Sequence, residues 1–249
     1  MNEIAVSGLV GLSGNGKGMA TAATPGCPQC GIERREGRNY CGACGNMLRP
    51  RCERKHVTML FVDVSGFTSL SERLDPEQVS EIMQRTFDII LDAVHENDGT
   101  VNQFLGDGVM ALFGEVSVEH HACRALRTAL AVQERLETVR REMRRSYGLT
   151  FRVRMGINTG SVVIGTIGAA LRTDYTATGS TAATALGLLQ IAEPGQIVLT
   201  GHTEELAGGR FDCVEVGAMP LTESRETVVV YELLRESTEY SESASLVAV

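Results

Sequence analysis

From Val57 onward the apolar positions change period repeatedly, and each change marks a switch between strand and helix. Thr58–Val64 is a short, almost continuous apolar run of the kind a buried strand shows. A helical period follows from about Phe67 to His95. Strands at Thr100–Leu105 and Val109–Phe113 then flank the turn Gly106-Asp107-Gly108, and a long helical stretch runs from about Glu119 to Tyr147. Further strands are expected at Phe151–Ile157, Ser161–Ile167, 172–178 and 196–200, with a helix over 180–191 and a closing strand pair near 211–216 and 227–233. The order is β-α-β-β-α-β with additions, which predicts an α+β, ferredoxin-like layer.

The segment ahead of this domain is of a different kind. Residues 1–26 are rich in Gly, Ala, Ser and Thr without a sustained period and read as a flexible leader. Within it, Gly11-Leu-Ser-Gly-Asn-Gly-Lys17-Gly18 falls one residue short of a phosphate-binding P-loop: Gly18 stands where a hydroxyl should hold magnesium, and no amphipathic helix follows. Residues 27–50 form a cysteine module, 51–56 a charged link into a main domain over 55–233, and 234–249 a polar, frayed tail. In the module, Cys27-Pro-Gln-Cys30-Gly and Cys41-Gly-Ala-Cys44-Gly are two CxxC knuckles whose four thiolates can surround a structural zinc ion, a zinc ribbon. The glycine after each second cysteine suits a turn that points backbone amides at sulfur. Four thiolates leave zinc no open position, so the module's expected role is structural, with docking of another protein as its use. Cys52, Cys123 and Cys213 are scattered and read as packing thiols.

Charge and composition narrow the functions. A net charge of −8 over 249 residues argues against a general nucleic-acid binder, and Arg140, Arg141, Arg144 and Arg145 fall at helical spacing as a solvated face. No apolar run reaches the ~18 residues that span a bilayer, and no signal peptide is evident, so a cytoplasmic location is expected. His120 and His121 open a helix without ligand partners at useful spacing and read as surface histidines.

Two acids carry the candidate chemistry. Asp63 ends the first strand and Asp107 sits in the hairpin; singly, the first could cap a helix and the second belong to a favoured turn. Together they mean more, because a right-handed crossover makes the first two strands parallel and brings both acids to one edge of the sheet. Carboxylates converging there, without basic neighbours in sequence, suit hard divalent cations, and a two-metal site can activate a hydroxyl and neutralise a leaving pyrophosphate.

Three ordered runs, Val57-Thr-Met-Leu-Phe-Val-Asp63-Val-Ser-Gly-Phe-Thr-Ser-Leu70, Gly106-Asp107-Gly-Val-Met-Ala-Leu-Phe-Gly114 and Arg154-Met-Gly-Ile-Asn-Thr-Gly160, closely resemble class III adenylyl and guanylyl cyclases over roughly residues 55–233. The cysteine module ahead of them resembles bacterial members with an N-terminal zinc ribbon. The resemblance implies a head-to-tail homodimer or heterodimer with shared active sites, ATP as substrate, and two Mg²⁺ or Mn²⁺ ions per site held by Asp63, Asp107 and the Val64 carbonyl. It implies that Arg154 grips the triphosphate and that Phe67, Thr68, Gln103 and Thr176 contact substrate. Gln103 stands where many adenylyl cyclases have lysine, and Thr176 where they have aspartate; both can hydrogen-bond adenine, so ATP is expected before GTP. The next helix departs from the pattern: the family's asparagine falls on Ala183 and its transition-state arginine on Gly187. Losing such donors typically costs ~10²–10³ in rate each, so a homodimer should be impaired. Two functions follow as expectations: an adenylate cyclase that supplies the metal-binding half of a shared site, or an inactive homologue acting as a nucleotide-binding or dimerising regulatory module.

Overall fold

The computed structural model describes residues 26–27, 29–33, 41–45, 53–66, 70–114, 120–167, 174–221 and 227–238. The chain divides into two compact units between Arg49 and Pro50.

The second unit is built on one mixed sheet. Its strands are β1 (Glu53–Ser65), β2 (Thr100–Leu105), β3 (Gly108–Phe113), β4 (Arg152–Ile167), β5 (Asp174–Thr178), β6 (Ile197–Thr200), β7 (Phe211–Pro220) and β8 (Thr227–Glu236). Among the described residues the helices that connect them include α1 (Pro76–Glu96), α2 (His121–Tyr147), α3 (Ser180–Ile191) and α4 (Gly201–Ala207). The sheet runs β2-β3-β1-β4-β6-β8-β7, with β5 paired to the far end of β4. Its first four strands, with α1 and α2, are the expected ferredoxin-like layer.

Alternation along β1 sorts the core into two faces. Leu60, Val62 and Val64 join residues of α1 and α2 in the main core, with Val109, Ala111 and Phe113 of β3 and Val153, Met155 and Ile157 of β4. Val57, Met59 and Phe61 point the other way, where Met110, Leu112, Val162 and Ile164 meet Ala185 and Leu189 of α3. A sheet buried on both faces explains why Thr58–Val64 reads as a continuous apolar run. The ends of the helices are set locally: Gln78 accepts a hydrogen bond from the Asp75 amide at the start of α1, and α2 stops at Gly148, in the left-handed region.

Several expectations change in detail. The strands expected at Phe151–Ile157 and Ser161–Ile167 are one strand of 16 residues, because its two ends serve different partners, β6 at one and β5 at the other. Glu53–His56 of the charged link belong to β1, paired with Ser161–Ile164 of β4. The helix expected from Phe67 is interrupted: Leu70 and Ser71 are helical, a turn follows at 72–74, and α1 begins at Pro76, with residues 67–69 outside the described set. Helix α4 was not expected; it is seven residues long and capped by the Thr200 hydroxyl. His121 is buried, against the surface reading, and bonds the Thr58 hydroxyl at 2.7 Å, while His120 is exposed. Cys123 is fully buried and Cys213 half-buried, as packing thiols are; Cys52 lies outside the described residues. Among the described residues no helix is long and apolar enough to cross a membrane.

Candidate active site

Strand register brings the two aspartates together. β1 pairs antiparallel with β3, and the last pair of that ladder is Asp63↔Gly108. Asp107 is therefore one residue from the position opposite Asp63. It sits there because Leu105 pairs with Gly108, leaving a two-residue hairpin loop, Gly106-Asp107. Gly106 takes a positive φ of 67°, the first-position glycine of a tight hairpin turn. β2 and β1 both run antiparallel to β3, so they are parallel to each other and end at the same edge, as the crossover argument required.

The other side of β1 supplies a cation. Asp63 pairs with Arg154 in the β1–β4 ladder, and the Arg154 Nε donates to Asp63 Oδ2 at 2.7 Å. The sequence showed no basic residue near Asp63; the fold brings one 91 positions away. Both side chains are partly exposed, 34% for Arg154 and 20% for Asp63, so the pair lies at the open end of the apolar strip formed by Met59, Phe61, Met110 and Leu112. The β1–β4 ladder continues past Asp63 to Ser65↔Arg152, whereas the β3 ladder has ended. Val64 and Ser65 thus project beyond β3 beside the Gly106-Asp107 turn. The carboxylates of Asp63 and Asp107 and the backbone of Val64 thus lie at the same end of the sheet, and oxygen donors are what hard divalent ions take.

Gln103 is half-buried in β2 next to a bulge between Val101 and Gln103. Thr176 lies in β5 opposite Gly165, and β5 comes into contact with β2, so the two substrate candidates sit on neighbouring strands. The Thr176 side chain, and Phe67 and Thr68 altogether, lie outside what the structure describes. Ala183 is exposed on α3, and Gly187 is buried one turn later. A Cβ placed on Gly187 would stand 2.4 Å from the carbonyl oxygen of Leu221, the residue after β7, so no side chain fits there as the backbone stands.

In the first unit the sulfurs of Cys27, Cys30, Cys41 and Cys44 all lie within 4.8 Å of one another. Cys27 and Cys44 are 3.7 Å apart and Cys30 and Cys41 3.6 Å. Bonds of about 2.3 Å at tetrahedral angles separate sulfurs by about 3.8 Å, so the spacing fits a four-thiolate metal site. The knuckles are built alike: Gly31 bonds the Cys27 carbonyl, Gly45 bonds the Cys41 carbonyl, and both glycines have φ of 72°. Burial pushes the Cys27 thiol up, but the backbone amides of Cys30 and Gln29, together with the thiols of Cys44 and Cys30, bring it down to about 6. Backbone amides of Cys44 and Ala43 lower Cys41. Thiols held toward the thiolate are the state that binds metal.

Residues 51–235 match the sequence profile of the adenylate and guanylate cyclase catalytic domain. Among curated proteins the chain is 43% identical over 129 residues to Adenylate cyclase 1 of Rhizobium meliloti (strain 1021), covering 51% of this chain and 19% of that protein. It is 32% identical over 129 residues to an adenylate cyclase of Anabaena cylindrica, covering 50% of this chain and 25% of that one. The chain thus spans about a fifth to a quarter of these relatives. Solved structures match more fully. The adenylyl cyclase CyaB from P. aeruginosa superposes with a TM-score of 0.72 at 28% identity, covering 76% of this chain and 98% of that one. The guanylyl cyclase Cya2 superposes at 0.68 with 29% identity, covering 76% and 96%. The paired aspartates, the strand order and the profile match over most of the chain agree: the chain belongs to the adenylate and guanylate cyclase catalytic domain family.

Proposed function

We propose that the second unit is a nucleotidyl cyclase domain that converts ATP to cyclic AMP and pyrophosphate, supplying the metal- and phosphate-binding half of a site completed by another cyclase chain. The convergence of Asp63, Asp107 and Arg154 at one end of the sheet supports this most directly. Asp63 and Asp107, with the Val64 carbonyl, would hold two Mg²⁺ or Mn²⁺ ions. Bound there, the ions would acidify the ribose 3′-hydroxyl and neutralise pyrophosphate as it leaves. The 3′-oxygen attacks the α-phosphorus, the bond from that phosphorus to the bridging oxygen breaks, and pyrophosphate departs with the electron pair while the hydroxyl proton passes to solvent. Arg154, turning from Asp63, is placed to bind the triphosphate with its permanently charged fork. Gln103 and Thr176 offer both donors and acceptors to the base edge, which favours ATP over GTP.

The half that this chain would lack falls on α3. Ala183 and Gly187 present no side-chain donor for developing charge, so a homodimer lacks transition-state contacts that a complementary chain would bring. The four cysteines are assigned to structural zinc in a ribbon that docks a protein partner, and the whole acts in the cytoplasm as a signalling protein. One observation favours a second reading, a catalytically silent homologue that binds nucleotide or dimerises: Leu221 seats on Gly187, so the departure from the family pattern is accommodated by local packing.

The test measures cyclic AMP and cyclic GMP from ATP and GTP, with Mg²⁺ and Mn²⁺. The purified chain is assayed alone and mixed with a cyclase chain that keeps its asparagine and arginine but has both metal aspartates replaced. Expected is little product alone and a gain of about 10²-fold on mixing, from the restored donors; Asp63→Asn should abolish the gain. No product in any pairing, with Mn²⁺-ATP still bound, would establish the silent homologue instead.

A further inference from the structure

Ser65 lies two residues past Asp63, still within β1 and in unbroken register with Arg152 of β4. Strand alternation puts Val57, Met59, Phe61, Asp63 and Ser65 on one face, the face that carries α3, while Leu60, Val62 and Val64 face α1 and α2. The Ser65 side chain therefore shares the Asp63 side of the sheet, at the point where β1 outruns β3 and the Asp107 turn stands alongside. Its Oγ is buried and has no hydrogen-bond partner among the described residues. Most buried hydroxyls in folded proteins are bonded, and leaving one unsatisfied destabilises the fold that holds it. The nearby β1 polar groups do not share this condition: Asp63 is paired with Arg154, and Thr58 bonds both His121 and Thr159.

A donor kept dry and unpaired beside two carboxylates and an arginine suits a ligand rich in anionic oxygens. We propose that the Ser65 hydroxyl is a further ligand-binding group of this site, donating to a phosphate oxygen of the metal-bound nucleotide. The inference deepens the cyclase reading and rests on it. It makes an unusual pair of demands on Ser65→Ala. Removing an unsatisfied buried hydroxyl should leave the unliganded protein as stable as before or more so, because no bond is lost and a desolvated polar group disappears. Removing a donor to charged oxygen should weaken the liganded state, since bonds to charged groups are the strong ones. A residue that merely packs would move both quantities in the same direction.

The full chain is titrated with Mn²⁺-ATP and, separately, with Mn²⁺-pyrophosphate by calorimetry, and its thermal unfolding is recorded without ligand, for the native chain, Ser65→Ala and Ser65→Thr. Expected is about tenfold weaker binding of both ligands by Ser65→Ala, near the value of one charge-assisted hydrogen bond. Its unfolding temperature should be unchanged or raised, and Ser65→Thr, which keeps a hydroxyl, should recover most of the affinity. Equal weakening toward pyrophosphate places the contact on the phosphates rather than the base. Native-like binding by Ser65→Ala, or weakened binding accompanied by a lowered unfolding temperature, overturns the role of Ser65 while leaving the cyclase reading standing. Failure of the native chain to bind either ligand overturns both.

Discussion

His121 shows how one residue can be misjudged from its neighbours in sequence. It is the first residue of α2, where side chains commonly meet water, yet it is buried with Nδ1 at 2.7 Å from the Thr58 hydroxyl. From Thr58 the contacts continue to Thr159 at 2.8 Å, which accepts from Thr203; Thr203 meets Thr200, and Thr200 donates to Asn158. The Asn158 amide finally donates to the Thr181 carbonyl in α3. Every member is buried and bonded, so the network fixes α2, β1, β4, α4 and α3 against one another. Burial lowers the His121 pKa, assisted by the ring of His56, 5.6 Å away, and by Arg124. A depressed histidine is neutral in the fold, while the unfolded chain takes up a proton near pH 6.5. The unfolded state therefore binds more protons as pH falls, and stability present above about pH 6.5 is lost below it. The urea midpoint should drop between pH 7 and 5 in the native chain and drop less in His121→Gln, whose amide can still bond Thr58 while His56 and His202 remain. An identical drop in both would place the proton uptake elsewhere.

At the scale of elements, α3 shows how closely a helix can be seated on its neighbours. No residue of Ser180–Ile191 is charged, and the helix packs through Ala185 and Leu189 on one side and Leu188 on another. Its approach to Leu221 needs the absence of a side chain at 187. Gly187→Ala should therefore cost about 1–3 kcal/mol, the usual price of overpacking, whereas Ala183→Asn on the exposed turn should stay within about 0.5 kcal/mol. Urea unfolding of the two variants decides it, and a Gly187→Ala protein as stable as the native one would show that Leu221 yields readily. The boundaries of α3 were legible because an apolar run between Gly179 and Pro194 leaves few alternatives. The β2–β3 hairpin was equally legible from Gly106-Asp107-Gly108. What could not be read was pairing across long separations. The Asp63–Arg154 bond, the continuity of β4 and the Leu221 contact all depend on register or loop packing, which the hydrophobic pattern constrains only to one face or the other. Helix α4 escaped for a different reason: seven residues hold too few turns to establish a period.

The whole chain combines units held together by different physics. The second unit has extensive apolar cores on both faces of its sheet and needs no staple. In the first, the buried hydrophobic cluster among the described residues consists of Cys27 and Cys41 themselves. The same thiols that would bind metal make up that cluster, so ion binding would supply free energy of the kind an apolar core supplies in the second unit. Removing zinc should then act on one unit selectively. A strong chelator should release about one zinc ion per chain, the count four thiolates imply. It should open residues 27–50 to protease while the main thermal transition, set by the second unit, stays in place. Cys27→Ser and Cys44→Ser should reproduce the protease sensitivity without chelator, since three thiolates leave the tetrahedron incomplete. Release of no metal, or protection of 27–50 that persists in both variants, would mean that the cluster of sulfurs is held by something other than an ion. The four convergent thiols, two of them with amides lowering their pKa, argue against that result, because bringing such groups to 3.6–3.7 Å without a cation between them gains little and costs the ordering of the loops that carry them.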